Sequence, residues 1–141
     1  MTNRKLKGGQ KKSNPQLTEV EWTIIKVVWE KEPCAAGTVQ EALQDTKNWA
    51  YSTVKGAMNI MVEKGFLKMS KIRNLQLFSS AIKQEEAQKG EFKKMLKRAF
   101  DDALTPMMQF LIENEDLSKD ELKQMRLMIE KAEKNKKSPN N

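Results

Sequence analysis

Ser52, Thr53, Lys55, Gly56 and Asn59 fall within the stretch YSTVKGAMN, which interleaves hydroxyl, ammonium and amide groups with small residues. On a helix, Ser52 and Thr53 near the start could donate to phosphates together with the free amides there. Lys55 could reach the acceptors of guanine and Asn59 the edge of adenine, while Gly56 would allow close approach to the backbone. Tyr51 has two readings, stacking on a sugar-phosphate backbone or closing a core over Trp49. Further on, Lys68, Lys71 and Arg73 are candidates for backbone contacts, and Arg4 and Lys5 could follow a neighbouring groove. Such a face is also what a merely solvated amphipathic helix shows, so its meaning depends on the elements that carry it.

Other chemistries lack their groups. The chain has no histidine and a single cysteine, Cys34, so it has no internal disulfide and none of the usual ligand sets for zinc or copper. No metal and no cofactor are expected, and Cys34 is read as an inert thiol at a helix end. There is no phosphate-binding glycine loop, no nucleophile with a histidine partner, and no pair of carboxylates in an evident apolar cleft, so an enzyme is not expected. A length of 141 residues, 38% hydrophobic content and a mean hydropathy of −0.73 suit one or two small soluble domains. Without a run of about 18 apolar residues, or a signal peptide's apolar centre, membrane insertion is not expected and the location is read as cytoplasmic.

The net charge of +7 is unevenly placed: residues 1–14 carry +5, whereas 15–82 and 83–141 carry only +1 each. Inside the middle segment, residues 15–47 carry −3 and residues 48–82 carry +4, so the stretch quoted above lies in a positive half.

Periodicity and punctuation order the elements. Residues 1–14 have no apolar period and read as a flexible basic arm. Thr18 and Glu21 fit a capping box for a first helix whose Trp22, Ile25, Val28 and Trp29 face a core and which Pro33 stops near Glu32. A short second helix is expected from about Thr38 to Thr46, capped by Thr38 or Gly37, with Val39, Ala42 and Leu43 on one face. The third is expected from about Tyr51 to Lys64, where Val54, Ala57, Met58, Met61 and Val62 recur at core spacing and Gly65 supplies a left-handed stop. Two β-like runs, FLKMSKI and LQLFSSA, then flank Arg73 and Asn74 and read as a hairpin, with Asn74 suited to positive φ. Three helices and a hairpin in 15–82 give the plan of a winged helix-turn-helix domain, in a chain that is mainly α with a small β-hairpin.

Residues 83–133 read as a helical dimerisation domain and 134–141 as a disordered tail. Phe92, Leu96, Phe100, Leu104, Met107, Met108 and Leu111 continue one apolar stripe, and Pro106 is expected to start a new helix or kink this one. Ser118 and Glu121 repeat the capping-box spacing ahead of a last stripe of Leu122, Met125 and Ile129. Such helices need a partner, either a second copy of the chain or the chain's own first domain.

The chain resembles the penicillinase repressor family, which includes the methicillin-resistance repressors. LTEVEWTIIKVVWEK (Leu17 to Lys31), W-x-x-S-T-V (Trp49 to Val54), KGFL (Lys64 to Leu67), FSS (Phe78 to Ser80) and ENEDLSKDEL (Glu113 to Leu122) carry the resemblance over about residues 17–130. It implies a winged-helix DNA-binding domain, a helical dimerisation domain, and repression by a homodimer on a double-stranded DNA operator with two half-sites. The chain departs from the family pattern at four places. Ile60 and Glu63 stand where the family usually has an arginine and a lysine, and Arg73-Asn74 replaces its usual glycine-arginine wing tip. In the best-known members a membrane sensor protease leads to cleavage of an Asn-Phe bond, and Phe110-Leu111 stands at the corresponding place here. A regulatory protease of other preference is therefore a further partner to consider. The alternative to a DNA-binding repressor is a winged helix serving as a protein-interaction module, since fold does not fix function.

Overall fold

The computed structural model describes residues 16–137, which divide into a first compact unit through Gln88 and a second from Lys89. The expected basic arm lies outside the described residues.

In the first unit, helix α1 (Glu19–Lys31) begins at the anticipated capping box. The Glu21 amide donates to Thr18 Oγ1 at 3.2 Å, and the Thr18 amide donates to Glu21 Oε1 at 2.9 Å. Two amides that the first helical turn leaves without backbone acceptors are thereby satisfied. One face of α1 sends Ile24, Ile25 and Val28 into the core. Trp22 and Trp29 are half-buried beside them and meet edge-on, with ring centroids 6.1 Å apart.

The single second helix expected from Thr38 to Thr46 is two pieces, α2 (Ala36–Ala42) and a one-turn α3 (Gln44–Lys47). Buried Leu43 separates them, with φ −101° and ψ 2°, its amide shared between the Val39 and Gln40 carbonyls. Neither Thr38 nor Gly37 caps the start: Ala35 is the N-cap and no side chain bonds there. Ala42, placed with the core residues by spacing, is exposed.

Helix α4 (Tyr51–Lys64) has the expected limits. Val54, Met58 and Met61 are fully buried, and Gly65 ends the helix with φ 91°. The Phe66 amide reaches the Met61 carbonyl and the Gly65 amide that of Val62, a left-handed C-terminal closure that favours a residue without Cβ.

Strands β1 (Leu67–Ile72) and β2 (Leu75–Ser80) form the antiparallel hairpin, in register from Leu67↔Ser80 to Ile72↔Leu75. Arg73 rather than Asn74 takes the positive φ, at 58°. A two-residue turn needs positive φ at its first central position in both twist-compatible types, and Arg73 occupies that position. Phe78 points into the core and its backbone pairs with Cys34 on the other side, through bonds of 3.0 and 2.7 Å. The hairpin is fastened to α1 by the Ser80 amide on Glu32 Oε1 and, just beyond, by Trp29 Nε1 on the Ile82 carbonyl. Three helices around a core with a docked hairpin make this unit a winged helix-turn-helix domain.

Helix α5 (Gln84–Phe100) begins in the first unit, where Ala87 is buried, and continues into the second. The apolar stripe is broken four residues before Pro106, at Asp101 and Asp102, which both adopt left-handed backbone at φ 52° and 65°. Aspartate tolerates that region better than most residues. Pro106 is the third residue of α6 (Leu104–Asn114), where a missing amide costs no helical hydrogen bond. Ser118 and Glu121 form the expected capping box at the start of α7 (Lys119–Lys137). The last helix thus reaches into the stretch read as a tail. Lys134 and Lys136, both exposed near its end, are good helix formers.

Candidate nucleic-acid interface

Helix α4 presents its start and one side to solvent. Ala50 is the N-cap and supplies no side-chain hydrogen bond, so the first-turn amides point outward beside the exposed Ser52 and Thr53 hydroxyls. Free amides at the positive end of a helix dipole suit an anion. Core packing of Val54, Met58 and Met61 fixes the rotation of the helix. At 100° per residue, Ser52, Gly56, Asn59 and Glu63 then form the middle of the open face, with Thr53 and Ile60 along one flank. All six are exposed.

Lys55 lies on the opposite flank and is half-buried rather than fully outward. Together with Tyr51, Lys71, Asn74 and Gln76 it lines a cleft of about 240 Å³ between α4, the hairpin and the chain at Ala35. Two ammonium groups with no acidic residue among the lining side chains make this cleft electropositive. Tyr51 is 52% exposed, and it is Trp49 that packs against the core.

The structure separates the lysines of the hairpin. Lys71 pairs with Gln76 on the strand face that carries Met69 and buried Phe78, and so meets the cleft. Lys68 pairs with Ser79 on the opposite face, because an odd spacing of three residues reverses side-chain direction. Arg73 is exposed at the turn, flanked by exposed Ile72 and Leu75. Arg4 and Lys5 lie outside the described residues.

In the second unit the residues assigned to dimerisation have no buried member. Phe92, Leu104, Leu122 and Ile129 are exposed, while Leu96, Phe100, Met107, Met108, Leu111 and Met125 are half-buried. Phe110 and Ile112 of α6 are also more than half exposed, so apolar side chains cover well over half of its circumference.

Two features of the first unit escaped the pattern of the sequence. Glu21, 4% exposed, accepts both the Thr18 amide and the ammonium of Lys64 at the far end of α4. No local period signals a partner so distant in the chain. Ile60, noted only as a missing charge, is 49% exposed on the open side of α4 and outside the core cluster. Its position off the Val54–Met58–Met61 spacing was the available signal. Cys34 is buried, and burial, followed by the nearby Glu32, pushes its thiol above the ordinary value, which fits an unreactive side chain. Among the described residues no group of histidine, cysteine or carboxylate side chains is placed to hold a metal ion, and no helix is long and apolar enough to cross a membrane.

An exposed polar helix seated beside a hairpin, with a basic cleft between them, is the arrangement of the winged-helix class. The model of the penicillinase repressor family matches residues 17–131, and the chain belongs to that family. It is similar to the methicillin resistance regulatory protein MecI of Staphylococcus aureus (strain N315), with 22% identity over 116 residues that cover 82% of this chain and 94% of that protein. It is also similar to the penicillinase repressor of Bacillus licheniformis, with 23% identity over 126 residues, 89% of this chain and 98% of that protein. Among solved structures, the DNA-binding domain of the repressor BlaI matches 52% of this chain and 90% of its own length at 22% identity, with a TM-score of 0.47. The family is one of transcriptional repressors, which are not enzymes.

Proposed function

We propose that this chain is a sequence-specific DNA-binding transcriptional repressor that acts in the cytoplasm as a homodimer on a pseudo-palindromic operator. The observation that carries this reading is the joint surface of α4 and the hairpin, with uncapped amides and hydroxyls at one end and Lys55 and Lys71 in one cleft. Family membership supports it, as do relatives named as a penicillinase repressor and a methicillin resistance regulatory protein.

In this reading the start of α4 grips a phosphate through its amides, Ser52 and Thr53, and thereby sets the depth of the helix in the major groove. Asn59 pairs with an adenine edge and Lys55 with guanine acceptors along the cleft side. Lys71, Tyr51 and Arg73 hold the flanking backbone without reading bases, with Lys68 on the far side of the hairpin and Arg4 and Lys5 as accessory backbone contacts.

The half-exposed stripe of α5 to α7 supports self-association, because an α6 apolar around most of its surface is stable only when enclosed. Two heads on one dimer require two inverted half-sites. Relief of repression by a regulatory protease would have to use a bond other than the family's Asn-Phe, since Phe110-Leu111 stands there within α6.

Titration of the full chain against its promoter-proximal duplex at 50 and 200 mM salt tests the proposal. About six phosphate contacts per dimer predict a loss of affinity of roughly a thousandfold over that range. No binding to the duplex, or an affinity indifferent to salt, would contradict the proposal.

A further inference from the structure

Ile60 is the unexpected group on the open side of α4. It is a large apolar side chain, 49% exposed, that takes no part in the core to which its neighbours Ala57 and Val62 contribute. One turn earlier on the same side stands Gly56, in ordinary helical backbone, where an added Cβ would meet nothing within 4 Å. Neither residue is demanded by the fold. Glycine and β-branched isoleucine are both poorer helix formers than alanine, and alanine would fit at Gly56. Helix side chains lean toward the N-terminus, so Ile60 leans over the turn that contains Gly56. The missing side chain at Gly56 leaves the Ile60 methyl groups open to whatever approaches from the front, with Asn59 beside them.

The major groove offers one apolar group on its base edges, the C5-methyl of thymine, and Asn59 is the side chain best suited to adenine. We propose that Ile60 is a specificity-determining residue that packs against a thymine methyl, with Gly56 as the slot that admits it, so that each half-site contains a required A·T pair under this part of α4. The inference rests on the reading of α4 as the groove-facing helix.

The test uses the full-length protein and the duplex recovered from random DNA by selection on it, with each thymine replaced in turn by deoxyuridine. This replacement deletes only the methyl group. Loss of one buried methyl predicts about fourfold weaker binding per half-site, and about fifteenfold when both symmetric positions are changed. Ile60→Ala should lose a similar factor on the unmodified duplex and become insensitive to uracil at that position. Ile60→Val, which keeps the branched methyl groups, should retain the sensitivity. Because Ile60 is exposed, both variants should keep the wild-type melting temperature, which is measured alongside. The proposal is overturned if no thymine responds to replacement, if the selected half-site contains no required thymine, or if Ile60→Ala keeps the full uracil effect. Tight selective binding by the wild-type protein in those cases leaves the DNA-reading role of α4 standing. Absence of any selected sequence would overturn both.

Discussion

Lys64 Nζ, at the end of α4, donates to Glu21 Oε1 at 3.0 Å and Oε2 at 2.9 Å, joining two residues 43 apart in sequence. The same Glu21 closes the capping box at the start of α1 through the Thr18 amide. One carboxylate therefore ties the entry of the first helix to the exit of the helix that faces outward. Its side chain is 6% exposed and that of Lys64 is 29% exposed, so the pair is partly withdrawn from water.

Removing Lys64 leaves a nearly buried carboxylate with one amide donor, which is more costly than losing a surface ion pair. Lys64→Ala should lower the unfolding free energy by on the order of 1–3 kcal/mol, at the lower end because the lysine is partly solvated. Urea denaturation gives the value. A change within experimental scatter would mean the carboxylate finds water instead.

Gly56→Ala should have opposite effects on folding and on function. The added methyl meets open space, so a helix-interior glycine replaced by alanine should stabilise the domain by roughly 0.5–1 kcal/mol. The same methyl would stand between α4 and a base edge, and affinity for the operator should fall. A variant that is both more stable and equally tight would show that DNA does not approach there.

Asn59→Ala and Lys71→Ala should differ in kind. Loss of Asn59 should cost about 1–3 kcal/mol on the specific site and relax discrimination at one base, with little change on random duplex. Lys71, on the hairpin face that meets the cleft, should weaken both duplexes alike and lower the salt slope by about one. Equal losses in both assays for both variants would contradict this division.

Much of the winged-helix fold was legible because it is written in local rules. The Thr18-x-x-Glu21 box, the Val54–Met58–Met61 spacing and Gly65 each specify a helix limit or face within one or two turns. The features that were not legible depend on competition or on distance. Pro106 sits in the first turn of a new helix, one of its two expected placements, but the turn ahead of it falls at Asp101-Asp102, which no apolar period marked. The break in the second helix at Leu43 has no such signal, since buried Val39 and Leu43 are spaced to share one face of an unbroken helix. The division of Lys68 from Lys71 was available from the two-residue period of a strand, whereas the Glu21–Lys64 pair was available from no period at all.

Cys34 gives a pH dependence. Its thiol is raised above an ordinary value of 9.0, chiefly by burial, so the folded state holds the proton to higher pH than the unfolded chain does. The stability this contributes is fully present below the unfolded value and declines as pH rises through the folded one. Between pH 8 and 10 the wild-type protein should lose stability more steeply than Cys34→Ala, and a thiol reagent at pH 8 should label it only after unfolding. Parallel stability curves, or rapid labelling of the folded protein, would refute the inert reading.

In the proposed function two copies of α4 read two inverted half-sites. Its most direct test is selection of bound sequences from random duplex DNA by the full-length protein at about 150 mM salt, followed by titration of the winning duplex. The expected result is an inverted repeat, with half-sites separated by about one helical turn or a multiple of it and bound by one dimer. Enrichment of a single unrepeated site would contradict the dimer, and no enrichment at all would contradict sequence-specific reading by this helix.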